Sequence, residues 1–182
     1  MFMLWAIPIG IVLGLAARGH LDGLAALRLR WAWLAVAGLL IQGVLFSETG
    51  DELAGAYGPP IYVASTLAVF VAVARNLRIT GMPVVAIGSL SNLVAISANG
   101  GFMPADPAAL HAAGLDGPGL HTNSIVIENP AFEPLTDIFA IPASLPLANV
   151  FSIGDVLLGI GIVVVIVAAM RGRVPPSTSP AG

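Results

Sequence analysis

Five apolar runs, free of charged side chains except for one aspartate near the start of the last, constrain this chain more than any other feature. They cover Met1 to Ala17, Trp31 to Phe46, Pro59 to Ala74, Met82 to Ala98 and Phe151 to Met170. A helix rises about 1.5 Å per residue, so about 20 apolar residues cross a hydrocarbon layer about 30 Å thick. The second and third runs are short and need to borrow flanking residues. Soluble domains carry about 25% charged residues, whereas this chain has 9% among its 182 residues. The same composition excludes a disordered chain, which needs low hydrophobicity and high net charge. The expected fold is all-α: a five-helix transmembrane bundle forming one integral membrane domain over residues 1–173, with a disordered cytoplasmic tail over 174–182.

The basic residues set the expected orientation. All seven are arginines, too few and too scattered for nucleic acid to be a partner. Arg18, Arg28 and Arg30 lie between runs one and two, Arg75 and Arg78 between three and four, and Arg171 and Arg173 after five. Segments near span ends on the cytoplasmic side are enriched in Lys and Arg, so this partition places the N-terminus outside and the C-terminus inside. Ser47 to Gly58 and Asn99 to Val150 contain no basic residue and fall on the outer side. The first run has no basic stretch before it, unlike a secretory signal, and reads as a retained helix. Its Gly10-x-x-x-Gly14 pair is open to two readings, close helix approach or the ordinary abundance of glycine in membrane helices. Gln42 in run two reads as an interhelical hydrogen-bond partner.

The outer segment from 99 to 150 is long for a loop, and loops of that length are functional or disordered. It carries seven prolines, yet Ser124 to Ile127 and Ile138 to Ile141 are apolar. It is expected to be ordered and folded back on the outer face, with a short helix at Ala108 to Ala113 and an extended piece at Ile125 to Ile127. His111, His121 and Glu128 share this loop without the close ligand spacing of zinc sites, so no metal is expected. No cysteine is present, and no Gly-rich phosphate loop or Gly-x-Ser-x-Gly elbow occurs. No cofactor is therefore expected, and serine hydrolase and nucleotide-binding readings find no support.

Ionisable residues inside apolar spans are expensive and point to function by default. Asp155 stands about four residues into run five. It is either a helix-start carboxylate favoured by the macrodipole or part of a site. Asp137, eighteen residues earlier, either caps a short interfacial helix or faces Asp155 across the outer interface. Two close carboxylates in low dielectric share a proton, supplying an acid and a base able to activate water. Asp137 and Asp155 are the catalytic candidates. Asn92, Asn99, Gly100, Gly101 and Ser152 are the substrate-binding candidates. Ser91 and Ser97 add neutral polar groups to run four. Asn99-Gly100-Gly101 followed by Pro104 reads either as a helix stop with a tight turn or as an amide held against substrate or Asp155.

Ser91-Asn92, Asn99-Gly-Gly-x-Met-Pro104 and Ser152-Ile-Gly-Asp155, in that order, resemble an uncharacterised bacterial polytopic membrane family, a domain of unknown function. That resemblance implies the bacterial inner membrane and brings no activity with it. The last third is also similar to lipoprotein signal peptidase, the type II intramembrane aspartic protease. Leu135-Thr-Asp-Ile138 resembles its first aspartate segment, Phe151-Ser-Ile-Gly-Asp155 its second, and Gly161 fits its final helix. Runs two to five would reproduce its topology. The resemblance implies that Asp137 and Asp155 are a catalytic pair. Ser152 stands where that family has Asn, and its Gly-Asn-x-x-Asp-Arg stretch is missing. The expected function is an outer-interface hydrolase acting on a membrane-embedded peptide or lipid-linked substrate. The alternatives are a noncatalytic accessory or assembly subunit bound to a membrane-protein partner and, third, a small transporter. Membrane lipid is a partner in every reading.

Overall fold

The computed structural model describes residues 2–115 and 124–172. Each apolar run forms a helix close to its expected bounds. After a 3-10 turn at Phe2–Trp5 come α1 (Ala6–Ala16) and the short α2 (Asp22–Ala25). Then follow α3 (Ala32–Leu45), α4 (Glu48–Ala54), α5 (Gly58–Ala74) and α6 (Met82–Ala98). The outer segment contributes α7 (Pro107–Ala113), and α8 (Ile153–Arg171) closes the chain. The molecule is mostly helical. By length and composition, two helical stretches suffice to cross a membrane, Thr49–Ala74 and Ile153–Arg171; α1, α3 and α6 are shorter apolar helices. The bounds follow from local chemistry. Pro at the first positions suits the starts of α5, α6 and α7, where a missing N–H is harmless. The connection between α3 and α5, to which the sequence reading gives no conformation, is helical: the Ser47 hydroxyl accepts the Gly50 N–H and caps α4.

The helices pack in the order α1, α8, α6, α5, α3, so the last helix lies between the first and the fourth long one. Small residues permit these approaches. Gly10 and Gly14 are buried against Ile166 and Met170 of α8, and a Cβ at Gly10 would stand 3.0 Å from that of Ile166. Close approach is therefore what this glycine pair does. A Cβ at Gly88 would stand 2.5 Å from the Gly154 carbonyl, and one at Gly161 would stand 2.7 Å from the Val85 nitrogen, so α6 and α8 touch through backbone. The Gln42 amide donates to both Ser65 and Thr66 hydroxyls at 3.2 Å, tying α3 to α5 as expected.

Among the described residues, the segment between α6 and α8 forms a cap with a core of its own. Strand β1 (Met103–Pro104) pairs in parallel with β2 (Ser124–Ile125), and β3 (Phe139–Ile141) pairs antiparallel with β4 (Asn149–Phe151). An Asp106 carboxylate oxygen accepts the Ala109 N–H and caps α7. Ala105, Ala109, Leu110, Ala113 and Val150 form a small apolar cluster under this cap. A second cluster, containing Leu45, Tyr62, Ala95, Ile96 and Met103, joins the cap to the helix ends. The expected helix is present one residue longer, and of the expected extended piece only Ile125 lies in a strand, β2.

Candidate functional site

The Ser152-Ile-Gly-Asp155 segment forms a capping box at the start of α8. The Ser152 hydroxyl accepts the Asp155 N–H at 3.1 Å, and one Asp155 carboxylate oxygen accepts the Ser152 N–H at 3.1 Å. Such reciprocal bonds satisfy two of the N–H groups that a helix start leaves without intrahelical partners. The other Asp155 oxygen accepts the Asn92 amide at 2.8 Å, and the Ser152 hydroxyl donates to the Asn92 carbonyl oxygen at 2.8 Å. Ser152 is 0% exposed. Gly154 is required here, because a Cβ would fall on the Asn92 amide. Asn92, Ser152 and Asp155 thus close into one network between α6 and α8. The helix-start reading of Asp155 describes its geometry. Ser91 lies beside this network in sequence, and its buried hydroxyl has no hydrogen-bond partner among the described residues.

Asp137 is 3% exposed and belongs to the backbone of the cap. Its N–H donates to the Pro104 carbonyl at 2.9 Å, and its own carbonyl accepts the Asp106 N–H at 3.0 Å, in a parallel bridge with Ala105. It follows the 3-10 turn Glu133–Leu135 and the Thr136 that ends it. The Asp155 carboxylate is held by the Asn92 amide and the Ser152 N–H.

Asn99 works elsewhere. Its amide donates to the Ala95 and Ala131 carbonyls at 2.8 and 2.9 Å, and its oxygen accepts the Ala131 N–H at 2.9 Å. It therefore clamps the cap onto the end of α6 and does not meet Asp155. Gly100 and Gly101 follow at φ +71° and +89°, a region other residues enter only with strain. A Cβ at Gly101 would also strike Pro59 at 2.6 Å. The turn brings Gly101 to a cavity of about 520 Å³ where α3, α4, α5 and the cap meet. Its wall includes Phe46, Pro59, Tyr62, Phe102 and Ile125, with Asp51 contributing a carboxylate. Phe46 and Tyr62 meet edge to face at 4.8 Å. Sequence reasoning reached Gly101 alone of these residues. The signal available for the others was the run of aromatic and small residues flanking the short acidic connection. Of the metal candidates, His121 lies outside the described residues.

Comparison with known proteins adds one relationship. No curated protein and no solved structure matches this chain. The model of a family of unknown function, DUF5317, matches residues 26–167, which include the α6–α8 network, the cap and the cavity. The chain belongs to that family.

Proposed function

We propose that this chain is a multi-pass protein of the bacterial inner membrane that holds one apolar chain of a lipid or lipid-linked molecule at the outer interface. Five spans run with the N-terminus outside and the C-terminus inside, and the cap rests on the outer helix ends. Support for immersion comes from large apolar side chains directed away from the bundle: Val12, Leu40 and Val44 are 63%, 65% and 66% exposed. Water would penalise such a surface, whereas lipid would not. The partition of arginines supports the orientation.

The cavity beneath the cap carries the functional reading. Its volume is within the range of small-molecule sites, about 300 to 1,000 Å³, and its lining is apolar and aromatic apart from Asp51. That combination suits an acyl or isoprenoid chain whose polar end stays near the acidic connection. The hydrolase reading, in which Asp137 and Asp155 share a proton, has less support because the Asp155 carboxylate is engaged by the α6–α8 network. The accessory-subunit reading draws on one further observation: Val126, Phe132 and Leu145 are exposed on the cap, a surface a larger complex would cover. A stoichiometric partner after mild solubilisation would favour it.

The test uses the protein in vesicles of phosphatidylethanolamine and phosphatidylglycerol doped with a phospholipid bearing a diazirine in its acyl chain. Crosslinks are expected at Tyr62 and Phe102, and Ala56→Trp, which fills the cavity, should reduce them about fivefold or more. Labelling spread evenly over α1 and α8 and unchanged by the substitution would refute the reading. Because the chain lacks cysteine, single cysteines at 102 and 77 report orientation directly through an impermeant maleimide.

A further inference from the structure

At the opposite end of the bundle from the cap, the segment before α3 and the turn after α5 enclose a second cavity, of about 350 Å³. Arg28 and Arg30 line it from the first segment, Arg75 and Arg78 from the second, so four of the seven basic residues border one space. The two segments are far apart in sequence and are fastened by one side chain. The Arg30 backbone N–H donates to the Asn76 side-chain Oδ1 at 2.8 Å, and the Asn76 side-chain amide donates to the Arg30 carbonyl at 2.8 Å and the Ala72 carbonyl at 2.7 Å. Asn76 is 7% exposed. The arrangement of the arginines is therefore built into the fold. The Arg75 guanidinium lies 5.3 Å from the Trp31 ring centre, which restricts its plane.

Among the described residues none of the four is ion-paired with a carboxylate, and Asp22 is the one acid in the sequence of these inner segments. Four guanidinium groups around one cavity repel one another, and an anion between them removes that cost. Planar guanidinium forks match the paired oxygens of a phosphate group. We propose that this cavity is a binding site for a phosphate group, supplied either by an anionic lipid headgroup or by a free phosphate compound. This inference goes beyond the outer-interface reading and does not depend on it.

The full chain in a phosphate-free maltoside detergent is the test material. One arm adds phosphatidylglycerol and counts retained lipid by native mass spectrometry. The other titrates inorganic phosphate and pyrophosphate and follows tryptophan fluorescence, to which Trp31 beside Arg75 contributes. Wild type should retain lipid in the first arm or show a saturable change in the second, and which arm responds identifies the source. The double variant Arg28→Gln/Arg78→Gln should weaken that response about tenfold or more, as expected for loss of charge-assisted contacts. Arg171→Gln, which removes an exposed arginine outside the cavity, should leave it unchanged. These side chains are exposed, and equal thermal midpoints confirm that the variants fold. Absence of both responses, an undiminished response in the double variant, or an equal loss in Arg171→Gln would overturn the proposal.

Discussion

Replacing Ser152 and Asn92 by alanine, singly and together, tests whether the network at the start of α8 is a structural lock. Ser152→Ala removes the acceptor for the Asp155 N–H and the donor to the Asn92 oxygen. A lost N-cap costs about 0.5 to 2 kcal/mol and a neutral hydrogen bond about 0.5 to 1.5 kcal/mol, so about 2 kcal/mol is expected. Asn92→Ala removes the charge-assisted bond to Asp155 and the acceptor for Ser152, a loss of about 2 to 4 kcal/mol. Both single variants delete the same Ser152–Asn92 bond, which the double variant can lose only once. The double variant should therefore be less destabilised than the sum by about 0.5 to 1.5 kcal/mol, within the range of hydrogen-bond couplings found between membrane helices. Unfolding in mixed micelles with increasing denaturing detergent, followed by circular dichroism, measures all four corners of the cycle. Additivity within about 0.3 kcal/mol, or a Ser152→Ala protein indistinguishable from wild type, would refute the lock.

Gly154→Ala should destabilise by about 1 to 3 kcal/mol in the same assay, because the new methyl group displaces the Asn92 amide from its two partners. Asn99→Ala leaves the Ala131 N–H and carbonyl without their side-chain partners and should speed amide exchange around Ala131 by about tenfold, while exchange in α5 stays unchanged. Gln42→Leu should cost about 1 kcal/mol, since two bonds between α3 and α5 are lost but a neutral hydrogen bond contributes only modestly. Asp137→Asn and Asp155→Asn discriminate between the functional readings. If each protein accumulates normally yet fails to complement a deletion strain, hydrolysis by a proton-sharing pair returns to the front.

Helix positions were legible because hydrophobic length is a local property. Met82 to Ala98 needed only its own residues to be delimited. Local structure in the segment between α6 and α8 could be anticipated from apolar stretches among its prolines, and a helix near residue 108 from its composition. The short α4 escaped because its acidic residues matched a solvated loop as well as a capped helix.

What the chain determined alone is where helices form, where glycine is available for tight turns and close contact, and which ends carry positive charge. Tertiary structure decided which polar groups meet. Asn92 reaches Asp155 across 63 positions and Asn76 reaches Arg30 across 46, and no spacing in the sequence announces either meeting. The reason is physical. Burial of an apolar side chain is nondirectional and can be read from composition, but a hydrogen bond needs donor and acceptor within about 3 Å and aligned. Only the packing order of the helices sets that alignment, by placing α8 between α1 and α6.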